Sequence, residues 1–157
     1  MNRTRYLLLA TAIASIYFVL TYVFAPISFG PLQVRVSEAL TVLPVFTPAA
    51  VPGLFVGCLL SNLLMTTLGP IDVILGSLAT LVAAVGTWLL RERKPLAPLP
   101  PVIVNAAVIG LELHIVLGLP LLPTMGYVGL GELVACYMLG YPLMVLLGRY
   151  EKTLFQR

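Results

Sequence analysis

Charge is what this sequence has least of. Lys and Arg together number 9 and Asp and Glu 6 among 157 residues, a charged share of 10%. Soluble domains carry about 25%. Hydrophobic residues make up 60% and the mean hydropathy is +1.05. So few ionised groups cannot cover a water-facing surface, and a disordered chain needs even more of them. Both classes are excluded. Histidine occurs once, which leaves no histidine pair for a metal. There is no Cys-x-x-Cys pair, no Ser-His-Asp pattern that can be placed, and no Gly-Lys-Ser/Thr phosphate loop. The chain therefore offers neither an enzyme constellation nor ATP hydrolysis of the P-loop kind, and no cofactor is expected. The two cysteines, Cys58 and Cys136, each stand inside an apolar stretch. They read as buried free thiols. Low-complexity segments and internal repeats are also missing.

Long apolar runs dominate what remains. A helical membrane span needs about 20 residues, so six of them use roughly 120. The runs fall at about 6–25, 32–46, 49–68, 71–90, 102–119 and 127–147, divided by Pro/Gly breaks or charged loops. The expectation is an all-α integral membrane protein, one six-helix domain over 1–157. Arg3 and Arg5 ahead of an apolar run resemble a signal peptide, but the run is long and the one passable cleavage point precedes Pro26. It is read as a retained first span. The second segment is short and holds Arg35 and Glu38, so it should be short, tilted or partly irregular. Cytoplasmic loops collect Lys and Arg. With six spans, both termini and the loop Arg91–Lys94 share one side and hold Arg3, Arg5, Arg91, Arg93, Lys94, Arg149, Lys152 and Arg157. Both termini are therefore expected in the cytoplasm.

This topology gathers the polar residues. Glu38, Asn62, Asp72 and Glu112 fall toward the outer ends of their spans, and Glu132 about one turn into the sixth. A charge at mid-membrane costs about 2.5–3.5 kcal/mol on insertion scales. Taken singly, each has a plain structural reading. Asp72 could be interfacial, Arg35 and Glu38 an ion pair, His114 a satisfied structural residue, and Asn62 and Asn105 interhelical glue. Together they point to a site that opens outward. Four carboxylates against Arg35 favour a cation or a ligand rich in N–H donors, and disfavour phosphate or a dicarboxylate. Asn105 and Glu112 are seven apart on one helix and share a face. Asp72, Gly76 and Thr80, spaced by four, read as a small polar face with room for a ligand. Gly53, Gly57 and Ser61, like Ala10 and Ala14, have the spacing of close helix contacts, within the chain or with a partner.

The stretch Gln33-Val34-Arg35-Val36-Ser37-Glu38-Ala39-Leu40-Thr41-Val42-Leu43-Pro44 resembles the signature of the QueT family. So do Pro52–Cys58 with Asn62, Asp72 followed by Gly76 and Thr80, Asn105-Ala106, and Val128–Glu132. These pieces run in order over nearly the whole chain. The resemblance implies a multi-pass protein of a prokaryotic plasma membrane, the substrate-binding S component of an energy-coupling-factor transporter. Such a component captures a vitamin-like molecule from outside. It docks on one transmembrane coupling subunit and two cytoplasmic ATPases. The implied ligand is a queuosine precursor, 7-aminomethyl-7-deazaguanine or queuine, held by Arg35, Glu38, Asn62, Asp72, Asn105, Glu112 and Glu132. Among these, Glu132 is the expected bidentate acceptor for the N–H edge of the base, and Glu38 or Asp72 the partner of the amine. Ala10 and Ala14 are expected to meet the coupling subunit. Two alternatives remain: an S component for a different small cationic ligand, and a self-contained proton-coupled carrier or small channel.

Overall fold

The computed structural model describes residues 2–28 and 34–155. Gln33, part of the stretch that carries the resemblance, and Arg157 lie outside them. The described chain is helical throughout. Its first helix, α1 (Arg3–Val23), starts where the Asn2 side chain accepts a hydrogen bond from the Thr4 backbone N–H at 3.3 Å. A single turn, α2 (Ala25–Ser28), follows. The second expected span is a 3₁₀ helix over Val36–Val45. Then come α3 (Ala50–Met65), α4 (Pro70–Leu89) and α5 (Leu99–Leu117). The last rod runs unbroken over Leu121–Gly148. It consists of α6 (Leu121–Leu133), a π-helical stretch Val134–Gly140 and α7 (Tyr141–Gly148). A short α8 (Glu151–Leu154) closes the described chain.

Proline and glycine set the ends. Pro70 opens α4, and Pro100 and Pro101 sit in the first turn of α5, where a missing N–H leaves no bond unmade. Gly69 (φ 82°) and Gly118 (φ 70°) make the reversals before α4 and after α5, at angles other residues rarely adopt. The same logic corrects the sixth span. The segment 120–126 reads in sequence as a loop with the helix starting at Tyr127. In fact Pro120 caps the helix and Pro123 lies in its first turn, so α6 begins at Leu121. Further along, Pro142 lacks an N–H and its ring crowds the carbonyl four residues back. That carbonyl, of Met138, lies within the π stretch, whose wider turn accommodates it.

Four helical segments are long and apolar enough to cross a membrane: Arg3–Val23, Pro70–Leu89, Lys94–Leu117 and Leu121–Gly148. Val36–Val45 and Ala50–Met65 are shorter apolar helices. At 1.5 Å per residue α3 reaches about 24 Å, and at 2.0 Å the 3₁₀ helix reaches about 20 Å, against a hydrocarbon core of about 30 Å. Helices α1, α3, α4, α5 and α6 pack in that sequence, each on the next. The 3₁₀ helix runs inside this arrangement against α1, α3, α4, the π stretch and α7, and every residue from Ser37 to Pro44 is buried. Irregular backbone at such depth is tolerated when protein surrounds it.

The sides are inverted relative to a water-soluble bundle. Leu122 is 77% exposed and Leu64 and Met138 68% each, while Arg35, Glu38, Asn62 and Asp72 are buried. Large apolar side chains face outward where lipid takes the place of water. The apolar core is small. It centres on Ile13, Tyr17, Leu40, Leu43, Ala50, Leu54, Cys58 and Ala84.

Candidate functional site

All seven side chains expected to bind substrate are buried, and five different elements deliver them. Arg35 precedes the 3₁₀ helix in extended backbone and Glu38 lies in its first turn. Asn62 comes from the last turns of α3, Asp72 from the first turn of α4, Asn105 and Glu112 from one face of α5, and Glu132 from α6. Glu132 is eleven residues beyond Leu121, about 16 Å along the helix and not one turn in. Glu132 thus lies farther from the start of its helix than Asp72, in the first turn of α4, does from its own.

Two linked clusters result. In the first, Arg35 Nη2 stands 3.7 Å from Asp72 Oδ1. Glu38, which the sequence allows as a local ion-pair partner of Arg35, lies within electrostatic reach of it as well. Thr66 Oγ1 donates to Asp72 Oδ2 at 2.5 Å. Asn62 Nδ2 donates to the Asp72 backbone carbonyl at 3.1 Å and to Cys58 Sγ at 3.6 Å. A Cβ on Gly76 would come within 2.6 Å of Asn62 Nδ2 and 2.7 Å of Asp72 Oδ1. The space beside Gly76 thus belongs to these two side chains, where the sequence suggests room for a ligand. Thr80 Oγ1 completes the group with bonds to Cys58 Sγ at 3.2 Å and Gly76 O at 3.1 Å.

The second cluster centres on Glu38 and Glu132. Tyr17 in α1 donates its hydroxyl proton to Glu38 Oε1. Asn105 Nδ2 donates to Glu132 Oε1 at 2.9 Å, and the Cys136 thiol donates to Glu132 Oε2 at 3.5 Å. Thr41 Oγ1 donates to the Glu38 carbonyl at 2.5 Å. The Glu38 and Glu132 carboxylates are electrostatic neighbours, with Arg35 between the clusters as a shared positive charge. Both cysteines are free and buried, as the sequence suggests, but they also belong to the site. Tyr17, Thr66 and Thr41 belong to it as well. Thr41 and Cys58 stand inside stretches that carry the family resemblance, whereas Tyr17 and Thr66 carry no such signal, because Tyr and Thr are ordinary occupants of apolar helices. His114 is exposed on the α5 end, with Nδ1 2.6 Å from Leu119 O, and stands apart.

Several buried acceptor atoms of the site have no hydrogen bond among the described residues: Glu38 Oε2, Asn62 Oδ1, Asp72 Oδ1, which has only the 3.7 Å contact with Arg35, and both carboxylate oxygens of Glu112. Glu112 stands within electrostatic reach of Asp72 and Arg35. All five can accept a proton donor, and buried polar atoms in native proteins are nearly always paired. The site is therefore short of donors, which suits a ligand that brings N–H groups. Among the described residues no group of His, Cys, Asp and Glu has the arrangement to hold a metal.

Ala10 and Ala14 lie elsewhere. A Cβ on Gly53 would meet Ala10 O at 2.7 Å, and one on Gly57 would meet Ala14 O at 2.9 Å, so the small residues of α3 admit the α1 backbone. The close contact is internal. Beside it an open groove of about 600 Å³ runs between the helices, lined by Leu7, Thr11, Ser15 and Val19 of α1 and by Pro52 and Val56 of α3, with Ala10 and Ala14 on its floor.

The sequence matches known proteins in the same region. One 72-residue stretch, 45% of this chain, is 40% identical to the "Queuosine precursor transporter QueT" of Lactococcus lactis subsp. cremoris (strain MG1363), and covers 41% of that protein. No solved structure matches the chain. Residues 7–149 match the family described as the QueT transporter. That match takes in every helix carrying a site residue, and with it the chain belongs to the QueT transporter family.

Proposed function

We propose that this protein captures a queuosine precursor from outside the cell as the substrate-binding S component of an energy-coupling-factor transporter. Six helical segments cross the membrane with both termini in the cytoplasm, and the chain performs no chemistry itself. The observation that carries the reading is the donor-poor polar cluster, in which five buried acceptor atoms, of Glu38, Asn62, Asp72 and Glu112, have no hydrogen bond among the described residues. A deazaguanine supplies adjacent N–H donors to such acceptors, and its aminomethyl form adds an ammonium. Family membership and the name of the Lactococcus relative favour this ligand class over other cations.

Energy for uptake comes from partners, because the sequence has no phosphate-binding loop. The groove between α1 and α3 accepts a helix of the coupling subunit. The exposed side chains of Leu7, Thr11, Ser15 and Val19 along α1 present its contact surface to that helix. Calorimetric titration of the purified protein with 7-aminomethyl-7-deazaguanine, its cyano form and queuine tests the ligand. Saturable one-to-one binding of at least one form is expected. Absence of binding by all three sinks the reading. Co-purification with two ATPase subunits tests the assembly, and transport by the isolated protein in vesicles would favour the self-contained carrier instead.

A further inference from the structure

The carboxylates of the site differ in what they already hold. Glu132 Oε1 accepts from Asn105 and Oε2 from Cys136. Glu38 Oε1 accepts from Tyr17. Asp72 Oδ2 accepts from Thr66, and its Oδ1 faces Arg35. Glu112 alone among them has neither oxygen bonded, although the residue is 1% exposed. Protonation does not remove the deficit. It converts one oxygen into an O–H donor, which is equally without a partner, and leaves the other an orphan acceptor. A buried polar group left without a partner destabilises the fold, so a ligand that pairs it is favoured.

We infer that Glu112 is the specificity-determining residue of the site, taking the ligand's two adjacent N–H donors on its two oxygens. The inference rests on the ligand class proposed above and assigns the role that the sequence suggests for Glu132. A planar carboxylate matches two parallel N–H bonds, as in its pairing with a guanidinium. The guanine-like edge of a 7-deazaguanine, a ring N–H beside an exocyclic amino group, has that form. Glu132 then acts as a positioning residue, holding Asn105 and Cys136 in place. Glu112 is also well placed along its helix. It lies five residues before the end of α5 at Leu117, about 8 Å, on the side where α4 begins with Asp72. A ligand entering from that end meets Glu112 before Glu132.

The test crosses residue with ligand edge. The purified full chain, wild type and Glu112→Gln, is titrated with 7-aminomethyl-7-deazaguanine and with the analogue lacking the exocyclic amino group. Wild type is expected to prefer the parent compound by tenfold or more. Glu112→Gln should weaken parent binding by roughly tenfold to 150-fold, the range of a lost charged hydrogen bond. It should also shrink the preference to within threefold, because the analogue lacks the donor that Glu112 reads. A merely structural role would lower both affinities together and leave the ratio intact, and that result overturns the inference. Parent binding by Glu112→Gln within twofold of wild type overturns it too. Should that variant fail to fold, the wild-type ratio still decides, since equal binding of both compounds means no paired-donor contact exists. A wild-type protein that binds neither compound overturns the ligand reading itself, a different result from the preceding ones.

Discussion

A methyl group at position 76 would collide with the Asn62 amide and the Asp72 carboxylate, at 2.6 and 2.7 Å. Overpacking of this kind costs about 1–3 kcal/mol, and the better helix propensity of alanine returns up to about 1 kcal/mol. Gly76→Ala should therefore lower stability by about 1–2 kcal/mol, read as the unfolding midpoint in detergent. Gly126→Ala, where an added Cβ meets nothing within 4 Å, should be neutral or stabilising. Equal midpoints for the two variants would mean that Asn62 and Asp72 are not fixed against Gly76. At this scale the sequence is informative about which residues are polar and buried. A carboxylate or guanidinium in an apolar run stands out, so Arg35, Glu38, Asp72, Glu112 and Glu132 can be named without a structure. Who pairs with whom cannot, because Arg35 reaches Asp72 across helices and Tyr17 reaches Glu38 from a helix with no charge nearby. The pairing is tertiary information, and it leaves both oxygens of Glu112 without a hydrogen bond while both of Glu132 have one.

The elements show a similar division. Apolar runs fix the number of helical rods. Their ends depend on whether a proline precedes a helix or sits in its first turn, and that choice moves the start of α6 from Tyr127 to Leu121. The 3₁₀ form of Val36–Val45 is foreshadowed by its short length and its charges, but the geometry itself comes from packing on five neighbours. Small residues at a spacing of four signal close approach without saying to what. For Ala14 the answer includes the α3 backbone at Gly57. Ala14→Trp is consequently a poor probe of partner docking, since the ring would separate α1 from α3. Thr11→Trp is better, because Thr11 is exposed in the groove. Thr11→Trp should abolish uptake in cells while the purified protein binds ligand within twofold of wild type. Normal uptake would show that the coupling subunit docks elsewhere.

For the whole molecule, orientation is the property on which the proposed site depends. Arg93 is exposed between α4 and α5, and both native thiols, Cys58 and Cys136, are buried. A membrane-impermeant maleimide should therefore report on Arg93→Cys alone. Labelling in inverted vesicles but not in intact cells is the expected result. Labelling of intact cells would turn the polar cluster toward the cytoplasm and end the capture reading. Biogenesis follows from the 3₁₀ helix. A segment buried from Ser37 to Pro44 has no face to offer lipid, and Glu38 penalises its partition into an empty bilayer. Of the elements it packs on, only α1 precedes it in the chain, while α3, α4 and the last rod follow it. Its burial, and with it the surroundings of Arg35 and Glu38, is therefore complete only once the last rod is in place, so the binding site and the fold are finished together.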